Sequence, residues 1–124
     1  MRAVKSENTT PEMIVRRLVH KLGYRYRLHQ KGLPGRPDLV FSSRCKIVLV
    51  NGCFWHGHNC ARGARRPKEN YDYWKTKIER NVERDARNLE ALQDAGWQVL
   101  TVWECETPKG RRDTLESKLK TFLG

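Results

Sequence analysis

No apolar run in this chain approaches the roughly 20 residues that a membrane-spanning helix needs, and the opening residues, MRAVKSENTTPE, contain no hydrophobic signal core. A cytosolic protein without a membrane partner is therefore expected. Acidic residues are scarce beside basic ones, 14 Asp and Glu against 25 Lys and Arg, leaving a formal net charge of +11 spread along the chain. That imbalance favours a polyanionic partner, most simply nucleic acid, because each neutralised phosphate releases condensed counterions. A merely soluble basic protein is the plainer alternative. Repeats and low-complexity tracts are absent, and only ARGARRPKEN at 61 to 70 resembles a linker. The 124 residues suffice for one core but not for two, so residues 1–124 are read as a single domain.

What the sequence does contain is local pattern. Thr10, Pro11 and Glu12 read as an N-cap, a first-turn proline and an acid facing the helix dipole. Val15, Leu18, Val19 and Leu22 follow at helical spacing until Gly23. YRYRLH then alternates like a half-exposed strand, LPGRPDLVF supplies a turn and a strand starting near Asp38, and CKIVLV is a strand apolar enough to be covered on both faces. A long helix is predicted over 71–94, a buried strand over WQVLTVWE and a last helix near 111–123. Helix, strand, strand, strand, helix, strand, helix argues for an α/β fold with a central mixed sheet flanked by helices.

Three constellations carry chemistry. Cys53, His56, His58 and Cys60 lie within NGCFWHGHNC, and Cys105 follows the last strand. In a reducing compartment such thiols and imidazoles suggest metal more than disulfides. Structural zinc takes four Cys or His ligands, so five candidates are one too many, and spacing does not say which histidine is left out. Cys45, opening an apolar strand, reads as a small core residue. In the long helix Trp74, Ile78, Val82, Leu89 and Leu92 form one stripe, with Asp85 inside it. A carboxylate there needs a partner, either an arginine or a histidine that it would orient as a base. Asp38 is either a turn residue or part of a magnesium site, and Glu12 either a helix-start charge or a group of that same site.

LPGRPDLVF, GCFWHGHNC, YWKTKIERNVERD and GWQVLTVWEC, in that order across nearly the whole chain, resemble the very short patch repair endonucleases. These bacterial DNA mismatch endonucleases have a restriction-endonuclease-like fold. The resemblance implies structural Zn²⁺ on Cys53, His58, Cys60 and Cys105, with His56 freed for catalysis and paired with Asp85. It implies catalytic Mg²⁺ on Asp38 and the backbone carbonyl of Val50, with Glu12 reaching a water on the metal. Phe54, Trp55 and Trp74 resemble an aromatic wedge that enters the stack beside a mismatch, although Phe54 and Trp74 also suit a core.

The implied substrate is duplex DNA with a T:G mismatch, nicked 5′ to the thymine. A monomer in the bacterial cytoplasm, associated with the nucleoid and working beside other mismatch-repair proteins, would follow. Val50 stands where a threonine, and Asn51 where a histidine, is found in a well-known member. Met1 aligns with an internal position there, implying a shortened N-terminal DNA-contacting arm. A related nuclease acting on unmismatched sites and a zinc-stabilised, non-catalytic DNA-binding module are the alternatives.

Overall fold

The computed structural model describes residues 9–30, 32–53 and 70–124. Its elements run α1 (Thr10–Lys21), β1 (Arg27–Leu28), β2 (Leu39–Phe41), β3 (Lys46–Asn51), α2 (Tyr71–Asp94), β4 (Gln98–Trp103) and α3 (Arg112–Leu123). The strands lie in the order β1-β2-β3-β4, and the mixed character expected of the sheet is found. β1, β2 and β3 pair antiparallel, whereas β4 joins β3 in parallel. A parallel partner needs a crossover, and α2 lies within it.

Alternation along the strands divides the core between the two faces of the sheet. Leu39 and Phe41 of β2, Val48 of β3 and Val102 of β4 pack with Val15 and Val19 of α1 and with Leu115, Leu119 and Leu123 of α3. Val40 and Ile47 point the other way, onto Leu92 of α2. Covered on both sides, β2 is buried at every position. This explains why the strand sequences are continuously apolar. The end of α3 is tied to the sheet through its free carbonyls, since Lys46 Nζ donates to Phe122 O at 2.6 Å and Arg44 to Leu123 O at 3.2 Å.

Four local expectations need correction. The side-chain cap of α1 is Thr9, not Thr10: its hydroxyl accepts from the Glu12 N–H at 3.3 Å. β1 is shorter than YRYRLH: its register would set Tyr26 against Phe41, the last residue of β2, and earlier residues against a 3₁₀ turn over Ser42–Arg44. Tyr24 and Tyr26 still pack onto the core. Val82 is 43% exposed, since two successive i+4 steps rotate a helical position about 80° away from Trp74. Cys45 is exposed and left-handed, at φ +54°, where it closes the 3₁₀ turn instead of entering the core.

The loop before β2 is built on left-handed backbone and pressed against α2. Gly35 sits at φ +74°, and a Cβ there would lie 2.8 Å from the Asn88 side-chain nitrogen. Gly35→Ala combines strain with a clash and is expected to cost about 1–3 kcal/mol. Urea denaturation measures this, and an unchanged midpoint would show that the loop yields freely.

Candidate metal centre

Asp38 immediately precedes β2, at the end of the Pro-Gly loop. Its Oδ2 accepts a 2.7 Å hydrogen bond from the Val50 N–H, at the neighbouring part of β3. Glu12 reaches the same place from the first turn of α1 and is only 2% exposed. The third group is His29, just beyond β1. Its own N–H donates to the Asp38 carbonyl at 3.1 Å, and its ring Nε2 lies 2.9 Å from Glu12 Oε1. Arg16, one turn along α1, approaches the other Glu12 oxygen at 3.5 Å. One ligand atom from each of Glu12, His29 and Asp38 falls within 4.8 Å of the others.

Burial dominates the electrostatics of Asp38, lifting its pKa from the ordinary 3.8 to about 7. The hydrogen bond from Val50 opposes that rise, the neighbouring Glu12 adds to it by charge and by hydrogen bonding, and His29 opposes it weakly. Two acids held this close in low dielectric require either a shared proton or a cation. Oxygen ligands from Asp and Glu are what a hard divalent ion takes, so the residues present fit such a metal.

Of the other residues singled out in the sequence, two are brought together. Cys53 is fully buried and receives the Cys105 N–H on its sulfur at 3.3 Å, across a separation of 52 residues. The Glu104 carboxylate accepts from the Cys53 N–H at 3.4 Å. Asp85 lies half-buried on α2. Trp74 is half-buried, stacked edge-on with Tyr73 at 5.2 Å and beneath Lys77. Phe54, Trp55, His56, His58 and Cys60 lie outside the described residues. Lys77, Arg80, Arg84 and Arg87 line one open groove along α2. Their spacing places them within a single stripe of the helix surface.

His29 escaped the sequence reading because it closes an alternating aromatic and basic strand and looked like its last polar position. The available signal was its place directly before the turn that delivers Asp38.

Paired acids at the end of a central strand of a mixed sheet, in a chain that also carries a basic stripe on α2, make a nuclease-like arrangement, and similarity to known proteins narrows it. The profile of the family described as DNA mismatch endonuclease Vsr matches residues 1–62. The chain is 50% identical over 123 residues to the type II nicking enzyme V.XorIIP of Xanthomonas oryzae, covering 99% of this chain and 88% of that one. It is 43% identical over 106 residues to the type II nicking enzyme V.NmeAIP of Neisseria meningitidis, covering 86% and 75%. To the DNA mismatch endonuclease Vsr of Escherichia coli it is 38% identical over 123 residues, covering 99% and 78%. The chain belongs to the Vsr family of endonucleases.

The raised pKa of Asp38 has a consequence for the metal-free fold. A carboxyl with a higher pKa folded than unfolded contributes stability that is complete below about 4 and lost as pH rises through about 7. Asp38→Asn removes the buried charge while keeping an oxygen for the Val50 N–H. In chelator at pH 8 the variant should melt above the unsubstituted protein, with the gap closing towards pH 4. Equal melting temperatures at pH 8 would refute the assignment of a costly ionised Asp38.

Proposed function

We propose that this protein nicks duplex DNA 5′ to the thymine of a T:G mismatch by Mg²⁺-dependent phosphodiester hydrolysis. The observation that carries the reading is the convergence of Glu12 and Asp38 beside Val50, from three separate elements. Asp38 and the Val50 carbonyl would hold Mg²⁺. In a strand the N–H and C=O of one residue project to the same edge, so the carbonyl leaves β3 on the side where the N–H meets Asp38. Bound there, Mg²⁺ supplies positive charge to the phosphate under attack. Glu12 orients water beside it, and His56, held by Asp85, takes the proton of the attacking water.

DNA is gripped and distorted by other parts of the chain. Lys77, Arg80, Arg84 and Arg87 suit the phosphate backbone. Phe54, Trp55 and Trp74 form a wedge whose insertion costs less beside a poorly stacked T:G pair than in a perfect duplex. Zn²⁺ on Cys53, His58, Cys60 and Cys105 would brace the wedge loop against the end of β4, and the contact between Cys105 N–H and the Cys53 sulfur supports the pairing of these two within that set. The protein acts as a monomer on DNA in the bacterial cytoplasm, with mismatch-repair proteins as further partners. No helix among the described residues is long and apolar enough to cross a membrane. V.XorIIP and V.NmeAIP are named type II nicking enzymes, and a related nuclease that nicks unmismatched sites is the second reading.

Labelled duplexes differing only in one T:G or C:G pair, incubated with Mg²⁺, separate these readings. A nick confined to the thymine strand of the mismatch and abolished in Asp38→Ala is the expected result. Equal cleavage of both duplexes would favour the second reading, and binding without cleavage a DNA-binding module.

The zinc assignment has its own outcome. Cys105→Ser should lower bound zinc and the melting temperature together, because free energy of metal binding to such a site is free energy of folding. Undiminished zinc content would remove Cys105 from the ligand set.

A further inference from the structure

We propose that His29 is a positioning residue that sets the separation and aim of the two acids, acting through Glu12. The inference rests on the nuclease reading above. Two bonds from one residue carry it. The His29 main chain is anchored to the Asp38 carbonyl at 3.1 Å, and its ring reaches Glu12 Oε1 at 2.9 Å. His29 therefore spans from the backbone of one acid to the side chain of the other.

The backbone at this point is not relaxed. His29 is a non-glycine residue at φ +44°, a conformation that L-residues adopt rarely and that persists where surrounding contacts enforce it. The left-handed turn carries the ring inward, leaving its side chain 15% exposed against a Glu12 that is 2% exposed.

Glu12 needs this contact. It comes from a different element than Asp38, and the charges of the two acids repel one another. Arg16 approaches its other oxygen, at 3.5 Å, from a side chain that is 21% exposed. With His29 on Oε1 and Arg16 beside Oε2, the carboxylate is fixed in plane and azimuth. A carboxylate so engaged is arranged to orient water rather than to close directly on a metal ion. Nε2 of the ring, in turn, is engaged by Glu12, which assigns it to the carboxylate and not to the metal.

The test compares His29→Ala with His29→Gln, whose amide can still donate towards Glu12. His29→Ala should lower kcat for nicking by about 10–100-fold, the usual loss when an outer partner of a metal-site carboxylate is removed. The KM for DNA should change little, and the melting temperature should fall modestly, because buried Glu12 loses a hydrogen bond. His29→Gln should recover most of the loss. Electron spin-echo spectroscopy of the Mn²⁺-loaded protein provides a readout independent of turnover. No nitrogen coupling is expected that disappears in His29→Gln.

A nitrogen coupling lost in that variant would make His29 a direct ligand and overturn the proposal. So would a glutamine variant as impaired as the alanine one, or an alanine variant with unchanged kcat. Should His29→Ala fail to fold, the comparison of His29→Gln with the unsubstituted protein decides, near-equal kcat supporting the proposal and a loss as large as 10–100-fold overturning it. Failure of the unsubstituted protein to nick any duplex would remove the nuclease reading and this inference together, whereas nicking with an unaffected His29→Ala would remove only the inference.

Discussion

Two carboxylates that would rather be apart are held together by everything around them. Glu12 is nearly sealed from water and Asp38 is pushed to a pKa of about 7 by its burial, so the pair is a local cost to the fold. Val50, His29 and Arg16 each offset part of it through hydrogen bonds or opposite charge. Structural ion pairs are usually arranged so that charge is cancelled on the spot. Here burial and the neighbouring Glu12 still hold the Asp38 pKa at about 7, which is the condition of a site prepared for a cation.

That arrangement requires the mixed sheet. The antiparallel register of β2 and β3, with Leu39 opposite Val48, puts Asp38 within reach of the Val50 N–H. α1 is packed on the same sheet face through Val15 and Val19, and this brings its first turn over the beginning of β2. The helix start is thus fixed at both levels, locally by the Thr9 hydroxyl and globally by the valines. Site and core are consequently not separable: the residues that bury α1 also aim Glu12.

Much of the fold was legible because its signals are local. The periodic valines of α1, the 24-residue helix α2 and the apolar runs of β3 and β4 follow from the side-chain spacing. Exceptions arise where neighbours decide. β1 shortens because its partner turns away, and Cys45 leaves the core because the 3₁₀ turn needs a left-handed residue to close it. Glu12 and Asp38 were legible as candidates, since an acid at a helix start and an acid after a Pro-Gly turn are recognisable in isolation. That they share one site followed from the family resemblance, whereas the contacts that join them depend on packing between α1 and the sheet. His29 offered only its place before the turn that delivers Asp38, since nothing in RLH announces a left-handed backbone tied to Asp38. Asp85 stood out as a charge in an apolar stripe, and its half-buried place on α2 agrees with that oddity.

The contact between Cys53 and Cys105 joins the ends of the two strands that pair in parallel, β3 and β4. Parallel pairing across a long crossover forms late, because the entropy of closing the intervening chain must be met before any contact rewards it. Until β4 has docked, the two thiols belong to distant parts of an open chain. The sulfur contact is therefore a marker of completed assembly, and any metal held between these strand ends would act as a latch, slowing escape from the native state more than it speeds arrival.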